Sequence, residues 1–260
     1  MIRPTPYKDE EARLKELESI QIMDSPPEEG YDYLTQMAAE ICETPIALVS
    51  LLDDKRQWFK SRVGLAAQET PKDYAFCAHA IHQPDELFIV EDSRKDERFH
   101  DNPLDTGEPY VIYYAGVPLV TDEGLPLGTL CVIGNEPKKK PLTEKQKKIL
   151  KNLASQVSNL INLRKEQIKL ETALENLNEL NIDLEKLSDD ILSDSHSPLI
   201  NINRVAKFLI ADKELKENSF RNRMVHSLHE SSEELKEMFR TFRATKTFRE
   251  KDKESKKVSM

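Results

Sequence analysis

Glycine and proline are unevenly distributed along this chain, and their scarcity in its second half is informative. All seven glycines lie at or before Gly134, and the only proline after Pro141 is Pro198. Both residues mark turns and interrupt helices, so the stretch after Pro141 is predicted to form long helices, preceded by a turn-rich globular region. Cysteine is sparse: Cys42, Cys77 and Cys131 form no disulfide framework and are expected to be reduced thiols. Basic charge is not in excess. The net charge of −9 over 260 residues argues against general nucleic-acid binding, which needs a basic face to neutralise phosphates. The longest strongly apolar run, Ile46–Leu52, is too short to cross a bilayer. The N-terminus has no basic-then-apolar leader pattern, so a cytoplasmic location without membrane insertion is expected.

In the turn-rich region, Leu14, Leu17 and Ile20 recur among charges over residues 8–22, the spacing of a short amphipathic helix. Ser25-Pro26-Pro27-Glu28 has the order of a capping box, which predicts a helix over Tyr31–Cys42. Pro45–Leu52 is apolar enough for a buried strand, turned by Asp53-Asp54-Lys55 into a second strand over Gln57–Val63. Leu87–Val90 is a third candidate. Tyr113–Thr121 and Leu127–Gly134 flank Asp122-Glu123-Gly124 as a hairpin. The sum is an α+β domain built on one antiparallel sheet.

Six segments of this region occur in an order that resembles the GAF domain, a ligand-sensing and dimerising module of bacterial signalling proteins. They are Ser25-Pro26-Pro27-Glu28, Ile46–Asp53, Arg56–Ser61, Phe76–Ile81, Tyr114–Leu119 and Leu127–Ile133. The resemblance implies a GAF sensory domain over residues 25–165 after an N-terminal helix over 1–24. It also implies a ligand pocket between the sheet and the segment crossing it, about Thr70–Tyr114. From that segment Phe76, Cys77, His79, Asp92, Arg98 and Tyr113 are the candidate ligand-binding residues, with His82 and Arg94 nearby. No cofactor follows from them, and the ligand is unnamed. Cys77 and His79 supply two metal-type ligands without a further cluster, so no metal site is expected. A redox enzyme acting through Cys77 is one alternative, and it requires an exposed thiol of low pKa. A domain whose pocket is filled by its own side chains and serves only for dimerisation is another.

Thr143-Glu144-Lys145-Gln146 is a second capping box, placing a helix start near residue 144. Leu163, Leu170, Leu177, Leu184 and Ile191 then recur every seven residues, with Ala173, Leu180 and Leu187 three further on. This a/d seam predicts a parallel coiled coil over 144–192 and hence a homodimer. Residues 193–201 read Ser-Asp-Ser-His-Ser-Pro-Leu-Ile-Asn. Together with a second amphipathic stretch, Leu215–Phe242 after a bend at Ala211–Glu214, they resemble the dimerisation and phosphoacceptor hairpin of sensor histidine kinases over 184–245. In that family the reactive histidine stands five residues before the proline. Here Ser193 occupies that place, and His196 is two before Pro198, about 4.5 Å along a helix axis from Ser193 and roughly 60° round it. A serine hydroxyl without a base is no phosphoryl carrier. No glycine follows residue 134, so the glycine-containing boxes of an ATP-binding domain are missing after 245, where a charged tail runs over 246–260. The reading is a non-catalytic dimeric sensor or adaptor that relays ligand or partner binding to a histidine kinase or response regulator. The alternative is a phosphotransfer protein modified in trans at His196, with His226 and His229 ranking behind it.

Overall fold

The computed structural model describes residues 1–211 and 223–241, with the backbone alone at 191–198 and 211. The chain divides into two units, Met1–Thr172 and Ala173–Met260. The first holds a six-stranded, wholly antiparallel sheet of β1 (Ile46–Leu52), β2 (Arg56–Val63), β3 (Glu69–Pro71), β4 (Phe88–Val90), β5 (Tyr113–Val120) and β6 (Pro126–Gly134), in the order β3-β2-β1-β6-β5-β4. Helices α1 (Glu10–Ser19) and α2 (Glu29–Cys42) join the first part of the long helix α5 (Glu144–Ala211) on one face. The short helices α3 (Phe76–Ala80) and α4 (Pro103–Thr106) belong to the segment that crosses the other. The fold is α+β, with a central antiparallel sheet flanked by helices and followed by a long helix, as the pattern of segments predicts.

Strand periodicity divides the core in two. Along β1, Ala47, Val49 and Leu51 face the helix layer, and Ile46 and Leu48 face the crossing segment. Leu150, Leu153, Val157 and Ile161 of α5 are buried against the first set. Burying such side chains contributes roughly 1.5–3 kcal/mol each. The centre of the sheet has no spare room at Gly128, which pairs with Leu51; a Cβ there would stand 1.9 Å from the Ser50 carbonyl oxygen. Only glycine permits that approach.

The two capping boxes have different outcomes. Thr143 and Gln146 cap reciprocally: the Gln146 amide donates to Thr143 Oγ1 (3.2 Å) and the Thr143 amide to Gln146 Oε1 (3.0 Å). The Ser25–Glu28 box does not form. Helix α2 begins at Glu29, with Glu28 extended and no side-chain cap. A buried ammonium is the reason. Lys60 Nζ donates to Ser25 Oγ (2.7 Å), the Pro26 carbonyl (2.7 Å) and Glu28 Oε1 (2.6 Å), so both capping side chains are engaged elsewhere.

In the second unit, α5 continues through Pro198 to Ala211, and residues 223–241 are also helical. Ala206 and Asn203 of α5 and Ser232 of the later stretch are buried. Ser232 Oγ donates to the Leu199 carbonyl (3.3 Å) and Asn203 Nδ2 donates to Glu233, which sets the two stretches side by side. Of the expected bend at Ala211–Glu214, residues 212–214 lie outside the described residues, as does the tail over 246–260. The seam leucines Leu170, Leu177, Leu180, Leu184 and Leu187 are all exposed in the single chain. Among the described residues no helix is long and apolar enough to cross a membrane.

Candidate functional site

A cavity of about 590 Å³ lies in the first unit between the sheet and the crossing segment. Its floor is sheet: Leu48 of β1, Phe59 of β2, Tyr114 of β5 and Ile133 of β6, with Phe76 of α3 and Val111 over them. The mouth is formed by Ala66 and Ala67 after β2 and by Glu108, Pro109 and Tyr110 before β5. Polar groups are few. Gln57, whose amide oxygen accepts from Thr70 Oγ1 (3.4 Å), stands at one side, and Asn135 at the rim. The Tyr114 hydroxyl is taken up by Thr129 Oγ1 at 3.1 Å, itself bonded to Ser50 Oγ at 3.2 Å.

Of the six residues singled out in the sequence, Phe76 alone lines this cavity. Its ring stacks on Phe99 with centroids 3.9 Å apart, and Phe99 gathers two more of the six beside the cavity. His79 meets Phe99 edge-on at 5.0 Å, and the Arg98 guanidinium lies over Phe88 and Phe99 while pairing with Asp96 at 2.6 Å. Burial, reinforced by the nearby Arg98 charge, lowers the His79 pKa to about 4.

The other three are elsewhere. Cys77 is fully buried in a satellite cluster with Tyr7, Leu52 and Ile81. Burial pushes its thiol well above the ordinary value, the reverse of what a nucleophilic or redox-active thiolate requires. Asp92 is held by Arg94 at 2.8 Å, and that hydrogen bond keeps its carboxyl below the usual range. Tyr113 faces the helix layer, because neighbouring residues on β5 alternate and Tyr114 takes the cavity side. At the end of β1 the Lys55 and Arg56 amides donate to Asp53 Oδ1 (2.8 and 2.7 Å), closing the turn that the Asp-Asp-Lys signal indicates.

The side chains of Ser193 and His196 lie outside the described residues, so the phosphoacceptor reading is carried by sequence alone. His226 is exposed on the second helical stretch, whereas His229 Nδ1 is buried without a hydrogen-bond partner. Among the described residues no group of three histidine, cysteine or acidic side chains is placed to hold a metal ion.

A second arrangement escapes the sequence. In the pairing with β1, β2 advances from Phe59 to Ser61 while β1 advances by a single residue, so Lys60 sits at a bulge. Gln57 and Phe59 therefore line the cavity, while Lys60 and Ser61 both address α2 and the chain before it. Lys60 pairs with Glu28, and Glu28 in turn accepts from Arg164 of α5 at 2.9 Å. Arg164 also donates to the Ile20 and Gln21 carbonyls, and neighbouring Lys165 pairs with Glu16 at 2.6 Å and with Glu123. Ser61 Oγ donates to Asp32 of α2 at 2.6 Å. The bulge could not be read from single-strand alternation. The usable signal was a lysine two residues from Trp58 on a strand with a buried face, since a buried ammonium demands partners.

Residues 26–161, just over half of the chain, match the GAF domain family. The chain belongs to that family, whose members act generally as ligand-sensing and signalling modules in receptors and two-component systems. The cyclic di-GMP phosphodiesterase PA2567 of Pseudomonas aeruginosa is 40% identical over 154 residues, which make up 59% of this chain and 26% of that protein. The chain thus spans about a quarter of the length of the curated relative it matches. Among solved structures, the blue-light absorbing form of the PixJ GAF domain of Thermosynechococcus elongatus aligns with a TM-score of 0.46 at 20% identity, covering 64% of this chain and 96% of that domain. The GAF domain of an Acinetobacter phosphoenolpyruvate-protein phosphotransferase aligns at 0.41 with 22% identity, covering 59% and 93% respectively.

Proposed function

We propose that this protein is a dimeric, non-catalytic sensor or adaptor in which occupancy of the sheet cavity biases the packing of the helical segment and so its affinity for a histidine kinase or response regulator. In this reading residues 25–165 are the sensory domain, 144–192 the dimerising helix, and 184–245 the hairpin that meets the partner. The observation that carries it is the bulge at Lys60. One short piece of β2 supplies Gln57 and Phe59 to the cavity and Lys60 to the ion-pair chain that ends at Arg164 on α5. A ligand that shifts β2 moves the partner of Glu28, and Glu28 is held by the helix that continues into the leucine seam. Such a connection supports a two-state change with differential ligand affinity, as allostery requires.

The homodimer rests on the exposed a/d seam. A helix so polar elsewhere gains little stability alone, whereas two copies bury the leucines against each other. The kinase or regulator as partner rests on the sequence resemblance of residues 184–245 and on the paired helical stretches within them.

The coupling is tested by hydrogen exchange along α5 in the intact chain and in Glu28→Gln. The variant keeps the size of the side chain and removes its charge. Faster exchange over residues 160–175, with the sheet amides unchanged, supports the link; identical exchange in both proteins contradicts it. The partner is tested by capture of purified kinases and response regulators on the full chain, followed by phosphotransfer with His196→Ala. Capture with no acid-labile phosphate on either protein supports an adaptor. Phosphate lost on substitution of His196 replaces it with a relay.

A further inference from the structure

The composition of the cavity wall limits what can enter it. Among the described residues lining it there is no lysine, arginine or histidine. Arg98 is laid across Phe88 and Phe99 and paired with Asp96, and it is not part of the lining. His79 is likewise directed to Phe99 and loses its charge through burial. The one ionisable side chain in the wall besides the tyrosines is Glu108, an exposed carboxylate at the mouth, whose sign repels anions.

The interior is aromatic and aliphatic. Phe59, Phe76 and Tyr114 present rings, with Leu48 and Ile133 between them, and Phe76 and Tyr114 lie 5.3 Å apart at an interplanar angle of 28°. Towards the interior, side-chain hydrogen-bonding capacity comes from the amides of Gln57 and Asn135 and from Thr70; the Tyr114 hydroxyl is already engaged by Thr129, and Glu108 and Tyr110 are exposed at the mouth. Moving a phosphate or sulfonate into such surroundings strips its hydration without supplying a counter-charge, and an isolated buried anion is strongly disfavoured. A flat uncharged molecule meets the rings and can satisfy one hydroxyl or carbonyl on the amides. The volume of about 590 Å³ is within the usual range of roughly 300–1,000 Å³ for small-molecule sites.

We infer that the cavity takes an uncharged, mainly apolar aromatic molecule bearing a single hydrogen-bonding group, and that it rejects phosphorylated ligands, cyclic nucleotides included. This rests on the proposal that the cavity is the sensory site, and it sets the chemical class of the signal.

The test uses the full chain and two probes that share one skeleton, 2-naphthol and 2-naphthyl phosphate, titrated by calorimetry up to 1 mM on the order of small-molecule screening concentrations. Ala67→Trp, at the exposed mouth, obstructs entry without touching the core. Ala66→Arg, also at the mouth, supplies the missing cation. The inference expects saturable binding of 2-naphthol, weakened by about tenfold or more in Ala67→Trp, and at least about tenfold weaker binding of the phosphate. It expects that Ala66→Arg narrows the gap between the two probes. Equal or tighter binding of the phosphate to the unaltered chain, lost in Ala67→Trp, overturns the ligand class and leaves the cavity as the sensory site. Failure of both probes to bind overturns the class and the sensory cavity together. Binding of 2-naphthol that Ala67→Trp does not weaken lies outside the cavity and overturns the inference too.

Discussion

The two parts of α5 carry leucines at similar density and treat them in opposite ways. Leu150 and Leu153 are 0% and 6% exposed, covered by the sheet, while Leu177 and Leu184 are 61% and 56% exposed. The same contrast separates the two units. The first buries the apolar faces of its helices and both faces of β1 within one chain. The second leaves its regular seam uncovered, and among its described residues the buried ones gather in a small internal contact around Asn203, Ala206 and Ser232. A sequence that spends leucines on a seven-residue repeat is specifying a partner rather than an internal core. The first unit therefore has its stability built in, and in the proposed account the second acquires its own on association.

The contrast can be broken from the first side with the largest effect. Gly128→Ala forces a Cβ against the Ser50 carbonyl in the middle of the sheet. Strands β1 and β6 cannot both stay in register, so a loss of about 3 kcal/mol or more is expected. Urea unfolding followed through Trp58, which is buried in the helix-side core, measures it.

From the second side, Leu177→Glu places a charge in the seam. The expected result is loss of a large part of the far-UV helical signal, by a cooperative melt at lower temperature, with the Trp58 emission of the first unit unmoved. Concerted unfolding of both units would mean that the seam is not independent of the sheet domain.

A smaller effect is pH-dependent and confined to the first unit. His79 in the folded chain has a pKa of about 4, lowered by burial and then by Arg98, against an unfolded value of about 6.5. The unfolded state therefore binds more protons between these values, and stability falls as pH drops from about 6.5 to about 4. Below about pH 4.5 carboxylates add to the fall with the same sign. Burial alone would raise the Glu10 pKa, but hydrogen bonds from Arg13 and Lys72 outweigh it and hold the group at about 2. The ring of His79 is partly exposed, so its contribution is discounted for solvent to no more than about 2 kcal/mol. The urea midpoint of the intact chain is expected to fall between pH 7 and pH 5, and the fall should shrink in His79→Phe; an equal fall in both proteins would mean that another group is responsible.

The smallest change is at the start of α5. Thr143→Ala removes the hydroxyl that receives the Gln146 amide and should cost about 1 kcal/mol in the first unit. An unchanged urea midpoint would mean that this cap contributes nothing to stability.

Periodicity made most of the first unit legible. Alternation and turn signals located β1, β2, β4, β5 and β6 within a residue or two, and β3 went unnoticed because three residues carry no period. The heptads were equally plain, since leucines seven apart need no tertiary context. The site was less legible for a physical reason. Its walls are drawn from β1, β2, β5 and β6 and from loops at 64–67 and 108–110, so membership depends on which face each strand presents. Tyr113 and Tyr114 are neighbours with opposite orientations, and sequence reasoning chose the one that faces the helices. Ser25 and Glu28 read as a local cap because local rules cannot see Lys60, which the bulge delivers from more than thirty residues away.

The claim that joins the two units is the dimer, because without it the exposed seam has no function and the ion-pair chain from Lys60 to Arg164 ends on a helix with nothing to repack. Sedimentation equilibrium of the full chain over micromolar concentrations tests it directly. The account predicts a species of about twice the 30.0 kDa chain mass that reverts to a single chain in Leu177→Glu. A single-chain mass for the unaltered protein throughout that range would contradict it.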